Sequence, residues 1–346
     1  MKIRKSLLYP LIAVSIAAVA YPLTALLVLN PFEQTVDFEL SDFYIRTANR
    51  RTAPRLSNDI VLIPVDAYSR SGIVDVVRAV DSLGAAATVV DVFMMTRQDG
   101  DDTLAAKLGM CRNLIVPNSK SDDFDYSLYA NLESSEYGYA ELSTESTKEV
   151  IRYYESICGD LNSLAATATK LYNDTAAPQG ENLINFVGKD FEVLDPSEFV
   201  DLGGLVKGKI AIIANLNDFG DVHRTPIGYL PGATIHAYII QTILDDSTPR
   251  PARTALPYVV AFIICILLFL GHLYINLEVN GDVANLAFRV AQLVLLYLIY
   301  LTGASVFIHY NTYFDFSITL LLIAAASVLF DITFGIIGLL FPKLFK

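Results

Sequence analysis

Basic residues are scarce in this chain. It carries 25 Lys and Arg against 37 Asp and Glu, a formal net charge of −12. Nucleic-acid affinity comes mainly from neutralising phosphates with Lys and Arg, so this balance excludes nucleic acid as a partner. Cysteine is also rare, at three residues, and none falls at the Cys-x-x-Cys spacing of a redox site. There is no Gly-x-Ser-x-Gly elbow, no Gly-x-x-x-x-Gly-Lys phosphate loop and no His-Glu-x-x-His. The sequence therefore gives no support to an enzyme and names no cofactor. A hydrolase built on Asp66, Asp91 and His223 is the weakest of the functional readings.

What is present is apolar. Four runs, from about Leu7 to Leu29, Leu256 to Ile275, Leu286 to Ile308 and Phe316 to Phe341, reach the roughly twenty residues that a bilayer core of about 30 Å requires. Inside hydrocarbon every backbone polar group must be satisfied within its own segment, so these runs are expected to be helices. Lys2, Arg4 and Lys5 before the first, Arg289 in the third, and Lys343 and Lys346 after the fourth place both termini in the cytoplasm by the positive-inside rule. Arg250 and Arg253 oppose that orientation, but large translocated domains respond weakly to flanking charge. Ala18-Val19-Ala20 resembles a signal-peptidase site, yet Tyr21 to Leu29 continues the apolar run, which favours an uncleaved anchor.

The organisation expected is an N-terminal anchor (1–29), an extracytoplasmic domain (30–255) and a three-helix membrane bundle (256–346). The block from 31 to 255 holds 33 acidic and 19 basic side chains, a net of −14, which suits a cation, a neutral molecule or a basic protein surface. Cys111 and Cys158 are its two cysteines, and an oxidising compartment predicts a bridge between them; two buried thiols is the alternative. Cys265 lies in mid-membrane and reads as a small apolar residue.

Within the block, Ile60–Val65, a helix over Ser71–Leu83 and Thr88–Phe93 form a βαβ unit. A helix over Asp101–Leu108 follows, then strands at Asn113–Val116, Leu183–Val187 and Lys209–Ala214, and a helix over Pro231–Leu244. Alternating strands and helices predict an α/β domain with a mostly parallel sheet in three layers. An insert, 119–156, is rich in tyrosine and acid: Tyr126, Tyr129, Tyr137, Tyr139, Tyr153 and Tyr154. It reads as extra strands or a hairpin, acting as a lid, an interaction patch or a plain loop, and followed after Leu161 by a helix carrying Leu164, Ala165, Ala168 and Leu171.

Asp66 and Asp91 end the first two core strands, and open α/β sheets bind ligands at that edge. Asn215, Asp218, Asp221, His223 and Thr225 follow the strand ending at Ala214, and His236 sits on the next helix. Such a crevice suits a divalent cation, a protonated amine or a proton-sensing network; caps and turns are the competing explanation for each residue. In the last apolar run Asp331 is an ionisable group expected to pair with Arg289, or else to lie at headgroup level. Gly303 and Ala324 to Ser327 offer small surfaces for helix packing.

The segments FELSDFYIRTANRR (38–51), IVLIPVD ending at Asp66, LGAAATVVDVFM around Asp91, KGKIAIIANL running into GDVHRTPIG, and PGATIHAYIIQTIL from Pro231 together resemble the second class of CHASE domains, the cyclase/histidine-kinase-associated sensory extracellular domains. The resemblance implies an external sensor framed by one N-terminal and three C-terminal helices. It places Asp66, Asp91, Asp221, His223, Thr225, Pro226, Gly232 and His236 on recurring positions of that family. Members of this family typically continue into a kinase, cyclase or phosphodiesterase, whereas here the sequence stops at Lys346, so the expected output is a separate membrane or cytoplasmic effector. A homo-oligomer and, alternatively, an envelope scaffold acting through the insert are the other expectations.

Overall fold

The structure, a computed structural model, describes residues 10, 13, 14, 17, 18, 37, 39–118, 128–130, 132, 135–142, 149–198, 203–252, 255–279 and 281–340. Most of the first apolar run and much of the insert, including Tyr126, lie outside the described residues. The chain divides into two compact units, Ile45–Pro249 and a helical unit of Met1–Tyr44 with Arg250–Lys346. One helix, α1 (Leu40–Arg51), belongs to both.

In the first unit the order is β1 (Arg55–Pro64), α2 (Arg70–Ser82), β2 (Ala87–Asp91), α3 (Asp101–Leu108), β3 (Leu114–Asn118) and β4 (Glu136–Tyr139). Then come β5 (Tyr153–Glu155), β6 (Ile157–Cys158), β7 (Leu161–Asn162), α4 (Leu164–Asn173), β8 (Glu181–Leu183) and β9 (Lys189–Val193). The unit closes with α5 (Gly203–Val206), β10 (Ile210–Ala214), β11 (Val222–Thr225), β12 (Gly228–Pro231) and α6 (Gly232–Leu244). Six strands form one sheet in the order β4-β3-β2-β10-β1-β9, and every pairing in it is parallel.

A parallel sheet needs cover on both faces, and the burial shows it: all five residues of β10 are buried. Val61, Ile63, Val90, Val116, Ala211 and Ile213 point to one face, where they pack with Val74, Val77 and Val80 of α2 and Leu108 of α3. α4 and α6 contact strands of the same sheet, and α6 buries eleven of its thirteen residues. Ser69 starts α2 by accepting from Gly72 N, and Ser163 starts α4 by accepting from Ala166 N.

The run Leu183–Val187 is not a core strand. Only its first residue is in a strand, β8, which pairs with β5 outside the main sheet. Asn185 N is tied to Thr242 Oγ1 at 3.1 Å and its Nδ2 donates to Ser247 O at 3.2 Å, so the run follows α6. Gly188, at φ +70°, then turns the chain into β9, which takes the sheet edge beside β1.

Over its described residues the insert contributes strands, as expected, and packs into the core. β4 supplies the sixth strand. Tyr129 is 2% exposed and its hydroxyl donates to Val92 O at 2.9 Å; the Tyr137 hydroxyl donates to Tyr129 O; the Tyr139 hydroxyl donates to Glu155 O.

The Cys111–Cys158 bridge is absent, and both residues are free thiols. Cys111 lies just before the N-terminal end of β3. Cys158 lies near Tyr139, whose strand partner is Asn118 at the other end of β3. At about 3.3 Å per residue the length of β3 exceeds the 4.4–6.8 Å Cα separation that a disulfide tolerates.

The helical unit contains a short ladder of β13 (Arg250–Pro251) with β14 (Thr312–Tyr313), and the helices α7 (Leu256–Tyr274), α8 (Asp282–Tyr310) and α9 (Ser317–Leu340). α7 and α8 are long and apolar enough to cross a bilayer. Many of their large apolar side chains face outward, among them Ile263, Leu267, Leu286, Leu293 and Tyr297. Gly303 of α8 receives the Tyr44 ring of α1 rather than another apolar helix, and Tyr44 also stacks on Tyr300 at 6.1 Å.

Candidate ligand site at the sheet edge

The C-terminal ends of the central strands set the site. Asp91 of β2 is in register with Ala214 of β10, which is in register with Pro64 of β1. Asp91 and Asp66 therefore do not end neighbouring strands. β10 separates them, so their backbones stand about two strand spacings, roughly 9.6 Å, apart.

Asp66 is a loop staple. Its carboxylate accepts from Leu216 N at 3.2 Å, from Asn217 N at 2.7 Å and from Asn217 Nδ2 at 3.3 Å, holding the turn after β10. Asp218 accepts from Gly220 N at 2.8 Å, and Thr225, 3% exposed, donates to Gly228 O at 2.7 Å within the β11–β12 hairpin. Asn215 is half-buried directly after β10. These four residues build the rim, as caps and turns would.

The other four converge. Asp221 Oδ1 lies 3.1 Å from His223 Nε2. The same carboxylate sits against the first residue of α6: a Cβ on Gly232 would fall 2.6 Å from each of its oxygens. No side chain caps α6, since Pro231 precedes it, so the Asp221 charge answers the exposed amides of that helix start. His236, one turn into α6, is 4% exposed and donates from Nε2 to Ala140 O at 2.9 Å. Its Nδ1 is buried and has no hydrogen-bond partner among the described residues. With the proton on Nε2, that nitrogen is a bare acceptor.

Asp91 completes the group electrostatically. Burial pushes its carboxyl above the ordinary value; His236 draws it back down, the negative charge of Asp221 raises it again, and His223 lowers it. A buried carboxyl within electrostatic reach of His236 and its open Nδ1 puts two polar groups where a small polar ligand would meet them. Among the described residues no group of three or more His, Cys, Asp or Glu side chains is arranged to hold a metal ion. A cavity of about 10 Å³ opens beside His236, bounded also by Tyr139, Glu141, Tyr154, Ser163 and Ala165, with room for one water molecule.

Two residues absent from the sequence-based set belong beside it. Arg70, at the start of α2, pairs with Asp101 at 2.6 Å, and the Asp101 side chain is 2% exposed. Tyr129 lies within electrostatic reach of both Arg70 and Asp91, and burial raises its hydroxyl well above the usual value. A cation in a helix's first turn opposes the helix dipole, and that was the available signal for Arg70.

In the helical unit Arg289 and Asp331 form no ion pair with each other among the described residues; both side chains are exposed. A partly buried polar contact there joins His272 and Gln292, which nothing in the sequence singled out, to Ser327, expected only as a small packing residue. His272 Nε2 lies 3.0 Å from Ser327 Oγ, and Ser327 Oγ donates to Gln292 Oε1 at 2.9 Å.

A family model described as the CHASE2 domain matches residues 15–273, most of the chain and all of the α/β unit. The chain belongs to the CHASE2 domain family. No curated protein and no solved structure gives a match. CHASE2 domains are sensory extracellular domains, not catalytic ones, and the parallel sheet with its polar C-terminal edge is the form that this one takes.

Proposed function

We propose that this CHASE2 protein is a membrane-bound sensor whose α/β unit, outside the cytoplasmic membrane, binds a small polar ligand at the Asp91–Asp221–His223–His236 site. Binding passes through the membrane helices to a separate effector. The observation that carries the reading is the buried, unpartnered Nδ1 of His236. A native core seldom leaves a buried acceptor unused, and a donor group on a ligand satisfies it. Family membership supports sensing, and the outward apolar surface of α7 and α8 supports a lipid setting. The membrane arrangement proposed is four spans with both termini in the cytoplasm. Since a ligand shifts a conformational equilibrium only through its differential affinity for the two states, the site must change on binding, and a half-buried contact such as Asp221–His223 is able to.

The test is a thermal-shift screen of the full chain in lipid nanodiscs with small amines, amino acids, carboxylates and divalent cations, run beside His236→Leu. A ligand at a hundred times its Kd stabilises by about 2.7 kcal/mol. The expected result is one chemical class that stabilises the wild type and not the variant. Equal shifts in both proteins, or none in a wild type shown to be folded, contradict the reading. The alternative, a scaffold acting through the insert, gains no support from its described tyrosines Tyr129, Tyr139 and Tyr154, which are turned inward.

A further inference from the structure

Arg289 and Asp331 are each exposed among apolar neighbours: Leu286, Val290 and Leu293 on α8, and Val328 and Ile332 on α9. Neither has an ion partner among the described residues, although both charges act on His272. An unpaired ion on a lipid-facing helix surface is costly, and such residues normally meet a partner. Asp331 has too short a side chain to reach a headgroup layer from about nine residues, or roughly 13 Å, inside the end of its helix.

Their depths are matched. The Ser327–Gln292 hydrogen bond fixes α8 and α9 at one level. Arg289 lies three residues before Gln292 and Asp331 four residues after Ser327, and consecutive helices joined by a short turn run antiparallel. Both charges therefore lie on the same side of that level, about 4.5 and 6 Å from it. A two-fold axis along the membrane normal preserves depth, so one passing beside α8 and α9 sets Arg289 of one copy level with Asp331 of a second copy and, by symmetry, allows the reverse contact as well.

We propose that this chain forms a two-fold dimer in the membrane through two reciprocal Arg289–Asp331 ion pairs between copies. The inference rests on the membrane reading above. It assigns the oppositely charged outer faces of α8 and α9 to a second copy of the chain, which carries the complementary charge to each.

The test is charge reversal in trans. Two full-length copies with different tags are co-expressed, membranes are collected, and recovery of one copy with the other is measured after mild solubilisation. Arg289→Glu in both copies, or Asp331→Arg in both, sets like charges against each other at both contacts, and recovery is expected to fall about tenfold or more. Co-expressing one Arg289→Glu copy with one Asp331→Arg copy restores opposite charges at both contacts, and recovery is expected to return to within about twofold of wild type. That rescue also shows that each variant folds. The double variant Arg289→Glu/Asp331→Arg in one chain is the control, since it restores pairing both within and between copies. Recovery by the double variant without rescue by the mixed pair overturns the proposal in favour of contact within one chain. Undiminished recovery by the single variants, or no recovery for wild type, overturns it as well and leaves Arg289 to lipid phosphates. A chain that washes out of the membrane fraction under alkaline extraction contradicts the membrane reading itself, which keeps the two failures distinct.

Discussion

Replacing Gly232 with alanine sets a methyl group where the Asp221 carboxylate rests. The added carbon would stand 2.6 Å from Oδ1 and Oδ2 and 2.9 Å from Cγ. Non-bonded heavy atoms settle at about 3.5–4.0 Å, so the carboxylate must retreat by roughly 1 Å. Asp221 Oδ1 is already 3.1 Å from His223 Nε2. The same movement carries it beyond hydrogen-bonding range, about 3.5 Å, unless the imidazole follows. A carboxylate at a helix start contributes about 0.3–1 kcal/mol. The pair with His223, whose side chains are 33% and 45% exposed, adds well under about 1 kcal/mol after solvent screening. Alanine's helix preference offsets a part of this in the first turn. The expected loss is about 1 kcal/mol, a fall in Tm of about 2–4 °C for a unit of this size. The chain has 19 tyrosines and no tryptophan, so tyrosine fluorescence of the full chain in detergent follows the transition. The decisive comparison is a double-mutant cycle. In an Asp221→Ala background the clash is gone, and Gly232→Ala should cost nothing or stabilise slightly. An equal cost in both backgrounds would refute the argument that Gly232 exists to admit the carboxylate.

Gly138→Ala should be far worse, because its Cβ would meet the backbone N and Cα of Leu164 at 2.7 Å, and backbone cannot step aside; a loss above about 2 kcal/mol is expected, and a Tm within 1–2 °C of wild type contradicts the close β4–α4 approach. Asp91 has a carboxyl raised by burial, so its stabilising share is complete below the ordinary aspartate value of 3.8 and is lost as pH rises through the raised one; Asp91→Asn should flatten that part of the stability profile, and parallel Tm curves for the two proteins above pH 4 would count against burial. Without reductant Cys111 and Cys158 should remain free: burial pushes the Cys111 thiol up to about 11, so maleimide should label half-buried Cys158 first and Cys111 only on unfolding, whereas a mass consistent with a bridge contradicts the fold.

Much of the architecture was legible because the physics is local. Ile210–Ala214 is an unbroken apolar run of strand length, and it became the fully buried strand at the centre of the sheet. α2 and α6 announced themselves by helical spacing, and α3 matched its expected bounds of Asp101–Leu108. Leu183–Val187 misled because apolar character does not say which partner a segment joins; Asn185 and Gly188 decided that through contacts far along the chain. The insert holds strands as expected, but the burial of its tyrosines was not legible because tyrosine is polar at one end only. Tyr129 and Tyr139 bury their rings, Tyr137 does so in part, and all three spend their hydroxyls on backbone carbonyls. Of the site, Asp221, His223 and His236 came together as the strand-edge rule expects, while Asp66 proved to hold a loop. Strand order cannot be read from a single sequence, and it is strand order that parts Asp66 from Asp91.

The state of the His236 ring tests the central claim most directly. The chain contains only four histidines, so ¹⁵N-histidine labelling of the full-length protein gives a spectrum simple enough to assign by substitution. The account predicts that, without ligand at neutral pH, His236 carries its proton on Nε2 and shows an unprotonated Nδ1, and that a stabilising ligand moves the Nδ1 resonance toward that of a hydrogen-bonded nitrogen. A protonated Nδ1 in the ligand-free protein, or an Nδ1 resonance that stays still while the ligand stabilises the fold, would contradict it.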